Sequence, residues 1–222
     1  MEQKSFTHVS HAGPEELEIL STTNKNGGRW YESPIGSLPS VTTVTGWEKQ
    51  AFFAEWRKEN PKESRRVLAR GNQLHSTIED YLNNKQIKLS DLPPIEGGLF
   101  MQLKDELDKI DNIYELETPL WSEATMLAGR VDCIAEYDGK LSIIDFKGST
   151  RKKRRKDIEN YFLQATAYAI AFQERTGIAI DNFAILISCE DGAVQVFEGN
   201  PLNYTKGLFD LIKTFHEALA AL

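Results

Sequence analysis

Two acids and a lysine, Asp132, Asp145 and Lys147, flank the dipeptide Asp138-Gly139. Asp-Gly between alternating residues is a strong signal for a two-residue hairpin turn, because both central positions of that turn need positive φ. With Tyr137 and Lys140 on either side of the turn, counting back pair by pair brings Asp132 directly opposite Asp145. Their Cβ atoms would then be ~5 Å apart on one face of the hairpin. Lys147, two residues beyond Asp145, projects on the same face. Val131, Cys133, Ala135, Ile144 and Phe146 form the core-facing set on the other.

Opposed carboxylates repel in a bare sheet. A divalent cation reverses the sign of that term, since hard cations take oxygen ligands. A lysine beside the acids can orient a water or offset charge developing on a phosphoryl oxygen. The three residues are a minimal set for metal-assisted phosphodiester hydrolysis. The plainer alternative is a hairpin whose solvated acids are neutralised by the lysine.

The elements that must position these residues follow from the surrounding pattern. Residues 1–28 are polar, with Gly and Asn near their end, and predict a loosely attached lead-in. Residues 29–32 and 41–44 predict short strands separated by a Pro/Gly/Ser loop. Residues 47–59 predict a helix, and Pro61 restarts one that runs to about Leu82, with Gly71 as a weak position. A loop over 91–98 then leads into an amphipathic helix over 99–110. Residues 114–147 read as strand throughout, 156–173 as helix, and 183–188 and 193–197 as strands. Leu208, Ile212, Phe215, Leu219 and Leu222 make one stripe of a final helix. Helices before and after a central sheet define a mixed α/β domain, expected as a single unit over 29–222.

Composition bounds the partners. A chain of 222 residues can bury one well-filled core. No apolar run reaches the ~20 residues that span a bilayer, so no membrane association is expected. The start of the chain lacks the basic-then-apolar pattern of a secretory signal, and two cysteines are too few for a disulfide framework. A reducing interior is the expectation. Net charge is −7, which argues against the whole surface gripping nucleic acid and makes the distribution of cations decisive.

Two stretches concentrate them. Arg151, Lys152, Lys153, Arg154, Arg155 and Lys156 form an unbroken basic run that begins four residues after Lys147. Alone it would read as a solvated loop or a localisation signal; its position suits a grip on a phosphate backbone. Between Trp47 and Arg70 the chain carries Lys49, Arg57, Lys58, Lys62, Arg65, Arg66 and Arg70, interleaved with Phe52, Phe53 and Trp56. Cations that follow phosphates beside aromatics that stack on bases suit single-stranded nucleic acid. Core contacts are the simpler expectation for the aromatics, and DNA contact for the cations. Gln164 and Tyr168, four apart, share a helix face. They either reach the site or form a core-edge tyrosine beside a solvated glutamine. The chain has no phosphate-cradling glycine loop and no Gly-x-Ser-x-Gly turn, which argues against a helicase motor and a serine hydrolase.

Asp132 within Gly129-Arg130-Val131-Asp132, followed by Asp145-Phe146-Lys147, resembles the signature of the PD-(D/E)xK nuclease superfamily. Gln164-Ala165-Thr166-Ala167-Tyr168 resembles the Gln-xxx-Tyr motif of its RecB-like branch. Gly71-Asn72-Gln73-Leu74-His75 resembles that branch's upstream helix with its histidine. Pro39-Ser40-Val41-Thr42-Thr43-Val44 is similar to a segment near the start of phage and mitochondrial exonucleases of the branch. The likeness spans roughly residues 39–170 in order. After Lys147 this chain has Gly148, where relatives often carry Thr or Ser.

The resemblance implies a restriction-endonuclease-like core: a central mixed β-sheet flanked by helices, with an N-terminal helical elaboration. Residues 45–70 would arch over the DNA path. It implies one or two Mg²⁺ or Mn²⁺ ions held by Asp132, Asp145, the Phe146 backbone carbonyl and His75, with Lys147 positioning the attacking water. Gln164 and Tyr168 would reach the DNA backbone or a water at the metal, with Glu79 and Glu117 in support. The four-cysteine iron–sulfur subtype is excluded by the cysteine count. The expectation is therefore a metal-dependent exonuclease of phage-related type, acting on single-stranded DNA ends or flaps in the cytoplasm of a bacterial or phage-infected cell. An endonuclease of the same superfamily, a non-catalytic DNA-binding module and another carboxylate hydrolase are the alternatives.

Overall fold

A computed structural model describes residues 3–10, 22–25 and 28–221. The Asp138-Gly139 turn closes as expected, with φ of 49° and 75°. It joins β5 (Leu127–Tyr137) to β6 (Lys140–Ser149) in the register that puts Tyr137 beside Lys140. This hairpin is the middle of a five-stranded sheet in the order β4-β5-β6-β7-β8. β4 is Ile110–Ser122, β7 Asn182–Cys189 and β8 Val194–Gly199. β6 and β7 pair in parallel and the remaining neighbours antiparallel. A parallel pair needs a long crossover, and α5 (Glu159–Thr176) supplies it.

Both faces of the sheet are covered. Along β6 and β7 successive residues alternate between two cores, as the two-residue period requires. Ile143, Ile185 and Ile187 join Phe162, Leu163 and Phe172 of α5 and Leu208, Ile212 and Phe215 of α6 (Thr205–Ala220). Ile144, Phe146, Ala184 and Leu186 join Leu74, Ile78 and Leu82 of α3 (Pro61–Leu82) and Leu99, Leu103 and Leu107 of α4 (Pro94–Leu107). Each fully buried side chain of this size contributes about 1.5–3 kcal/mol. Cys133, Ala135, Ile144 and Phe146 share the second core as expected, whereas Val131 belongs to the first. Of the expected stripe on α6, Leu208, Ile212 and Phe215 are buried and Leu219 is partly so. Leu222 lies outside the described residues.

Several expectations change. Residues 41–44 are not a strand: Val41–Thr45 is a helical turn, α1. Ser40 caps it by accepting the Thr43 N–H at 3.0 Å, and Val41 and Val44 bury into the first core. Capping and burial outweigh the β preference of branched residues. The helix expected from 99 starts at Pro94, because proline at a first-turn position needs no N–H. The lead-in is not loose where it is described. Phe6 is buried edge-on against Tyr81, and Thr7 and Val9 hydrogen-bond Ile113 of β4, each at 2.8 Å. β1 (Thr22–Lys25), β2 (Gly28–Ser33) and β3 (Gly36–Pro39) make a small second sheet. Trp47 packs on Phe215, but α2 (Gln50–Glu59) buries none of its side chains. Phe52 is 66% and Phe53 44% exposed, so the expectation of core contacts fails for these two, while Trp56 is half-buried.

Candidate active site

β5 and β6 pair from the turn as far as Cys133 and Ile144, and there the ladder stops. The next pair would be Asp132 and Asp145. From that point β5 pairs only with β4, through Val131–Thr118 and Arg130–Pro119. β6 continues with β7, through Asp145–Ile185, Phe146–Leu186 and Lys147–Ile187. The hairpin forks at its two acids. Asp132 spans the opening: its Oδ2 accepts the Phe146 N–H at 3.0 Å.

Asp145 is 4% exposed. Its Oδ1 accepts from Lys147 Nζ at 2.6 Å and from Gln164 Nε2 at 3.0 Å. Its Oδ2 is buried and has no partner among the described residues. Burial pushes this carboxyl up to about 6; Lys147 pulls it down and Asp132 raises it further. Burial by itself favours the neutral amine of Lys147. Asp145 and Asp132 outweigh that, so the ammonium is held above its ordinary value and stays charged. Tyr161 lies under it, with the ring centroid 5.3 Å from Nζ.

His75 reaches the same acids from α3. Its Nδ1 is 3.5 Å from Asp132 Oδ2 and 4.0 Å from Glu117 Oε1. One donor atom from each of His75, Glu117 and Asp132 lies within 4.8 Å of the others. Burial lowers the imidazole's pKa, but Asp132 and Glu117 more than offset this and hold it above its ordinary value. Glu117 stands across from Asp132, between the pairs Leu116–Cys133 and Thr118–Val131, and its φ is +50°. A non-glycine residue there costs about 1–3 kcal/mol and is retained where surrounding structure demands it. Two carboxylates and an imidazole are a donor set that fits a divalent cation.

α5 supports the site from one face of the sheet. Gln164 is buried, donates its amide to Asp145, and also lines the cleft that opens onto Asp132 and Lys147. Tyr168 is buried with its hydroxyl against Gly129, where a Cβ would sit 2.7 Å from that oxygen. Tyr161, Gln164 and Tyr168 follow at helical spacing, a signal that could have located Tyr161 from the sequence. A cleft of about 710 Å³ opens onto Asp132 and Lys147, and His75, Glu79, Glu117 and Tyr168 line it. Arg130 and Thr42, which lie within two of the motif segments, also line it, as does Arg29, which no motif named. The contact made by Phe146 is through its N–H; a role for its carbonyl stays an expectation.

The expected DNA-binding cations divide. Arg70 is removed from that set, because it is 3% exposed and bonds Glu190 and the Gly148 carbonyl. Arg66 is held by Glu63 and Glu190. Arg154 pairs with Asp157, and Arg155 stacks on Phe162 while donating to Glu198 and Tyr204. Gln195 clips the Lys153 backbone through both its N–H and carbonyl. Arg57, Lys62, Arg65, Arg151 and Lys152 are exposed.

This sheet, forked at two acids with a lysine beside the second, has the features of a phosphodiester-cleaving centre. The chain belongs to the PD-(D/E)XK nuclease superfamily, whose match covers residues 50–198. It is 28% identical over 181 residues to human Mitochondrial genome maintenance exonuclease 1, covering 74% of this chain and 51% of that protein. It is also 28% identical over 175 residues to the mouse protein of that name, with 71% and 51% covered. The Xenopus tropicalis protein is 28% identical over 174 residues. The chain spans about half the length of these relatives. The expectation of a bacterial or phage-infected cytoplasm is corrected, since these relatives are eukaryotic proteins named as mitochondrial. Among the described residues no helix is long and apolar enough to cross a membrane.

Proposed function

We propose that the chain is a divalent-metal-dependent DNA exonuclease that hydrolyses phosphodiester bonds and prefers single-stranded ends or flaps. The observation that carries this reading is the fork, where Asp132 and Asp145 lie with Lys147 beside them and His75 and Glu117 facing Asp132. The names of the relatives support exonuclease action over internal cutting.

Asp132, Glu117 and His75, with the free oxygen of Asp145, would hold one or two Mg²⁺ or Mn²⁺ ions. The cation, when bound, supplies Lewis-acid polarisation of the phosphate and a more acidic water. The protein's own part is positioning and charge. Gln164 and Lys147 both hold Oδ1 of Asp145, which fixes the carboxylate and leaves its buried second oxygen unpaired among the described residues. Lys147, charged throughout the neutral range, offsets the negative charge that develops on the phosphoryl oxygens or orients the water. The Asp132 carboxylate is held by the Phe146 N–H.

The test is cleavage of end-labelled linear and circular DNA, single- and double-stranded, with Mg²⁺, Mn²⁺ or a chelator. Metal-dependent loss of linear single strands, with circles intact, is the expected result. Cutting of circles would make the enzyme an endonuclease, and metal-independent cutting or none at all would overturn the proposal.

A further inference from the structure

A second hollow, of about 530 Å³, adjoins the catalytic cleft. The two share wall residues: Arg29 and Thr42 line both. Its remaining wall includes Gly46, Gln50, Phe53 and Arg57, and no acidic side chain lines it among the described residues. In a chain of net charge −7 that is a local reversal of sign. Arg29 and Arg57 form no ion pair among the described residues, unlike Arg66, Arg70 and Arg154. Phe53 and Arg57 are one turn apart on α2 and share a face. Phe53 is 44% exposed and meets the more exposed Phe52 edge-on, at 5.4 Å between centroids. An aromatic of this size left in water, beside guanidinium groups with no ion pair among the described residues and in a hollow within the ligand-site range of about 300–1,000 Å³, suits a flat anionic ligand.

We propose that this hollow is a second nucleotide pocket. It takes one unpaired nucleotide of the same DNA strand that occupies the catalytic cleft, with the base against Phe53 and the flanking phosphates against Arg29 and Arg57. A base can stack on Phe53 only once it has left a duplex, so the pocket selects single strands without reading sequence. Arg29, common to both cavities, holds the backbone as it passes from one to the other. The inference rests on the nuclease reading and adds residues that the catalytic set does not contain.

The experiment is fluorescence anisotropy with labelled single-stranded DNA of about 4 to 16 nucleotides, the usual range of single-strand site sizes, in the presence of a chelator. Affinity of the parent protein should rise in a step once the oligonucleotide is long enough to fill both cavities. Phe53→Ala and Arg57→Ala should each remove the step and weaken binding of long oligonucleotides about tenfold. Phe53→Trp should keep it, and Arg57→Ala should also flatten the salt dependence by about 0.7 in log–log slope. Leu202→Ala, exposed and outside both cavities, is the control and should match the parent. A parent that cuts DNA but shows no step, or a step that survives both substitutions, overturns the pocket and leaves the nuclease reading standing. A parent that neither binds nor cuts any DNA overturns both.

Discussion

The Gln164 side chain, buried in the crossover helix, donates to Asp145 at 3.0 Å, on the same oxygen that Lys147 engages. One oxygen of the acid is thereby doubly held and the other is left buried with no partner among the described residues. Replacing Gln164 with Leu removes one of these holds. Loss of an outer ligand-orienting contact costs about 10–100-fold in metal affinity or activity. Cleavage rate against Mn²⁺ concentration should shift to higher metal, with the circular dichroism spectrum unchanged.

Gly129 is required by Tyr168. A Cβ there would lie 2.7 Å from the tyrosine oxygen and 3.0 Å from the nearest ring carbon, inside normal contact. Gly129→Ala should destabilise the protein by about 1–3 kcal/mol, as overpacking does. Adding Tyr168→Phe removes the closest clash and should recover part of that loss. Urea unfolding of the two variants checks the non-additivity.

Glu117 sits at φ +50° with its carboxylate beside His75 and Asp132. Glu117→Gly relieves the backbone and removes a like charge from beside Asp132. Stability should rise by about 1–3 kcal/mol while cleavage falls. Parallel unfolding and activity curves would expose this opposition.

The latch between α3 and the end of β7 should be acid-sensitive. Burial raises the Glu190 carboxyl, but bonds from Arg66 and Arg70 outweigh it and hold the group below its ordinary value. A depressed folded pKa contributes stability that is complete above the unfolded value and is lost as pH falls through the folded one. Glu190→Ala also leaves the buried Arg70 uncompensated, a loss of about 3 kcal/mol at neutral pH. Denaturation curves of parent and variant should differ at pH 7 and converge as the medium is acidified below the ordinary carboxylate range.

The hairpin and its acids were legible because their determinants are local. An Asp-Gly turn fixes φ at two positions, and the two-residue period then carries the register back to Asp132 and Asp145. What the register could not say is that the strands part at that pair, since parting depends on β4 and β7 competing for the two strands. Arg70 looked like a free cation because its partners, Gly148 and Glu190, lie 78 and 120 residues away. The left-handed backbone at Glu117 leaves no mark on residue type, so the sequence gives no sign of it. Phe52 and Phe53 have the composition of a core and the environment of a surface, a difference decided by what α2 fails to pack against.

The central claim is that Asp145 and Lys147 act on the phosphodiester. Its most direct test compares Asp145→Asn and Lys147→Ala with the parent in two assays: cleavage of end-labelled single-stranded DNA with Mg²⁺, and DNA binding with a chelator. Cleavage should fall at least about 100-fold in each variant while binding is retained. Variants that cut as fast as the parent would contradict the assignment.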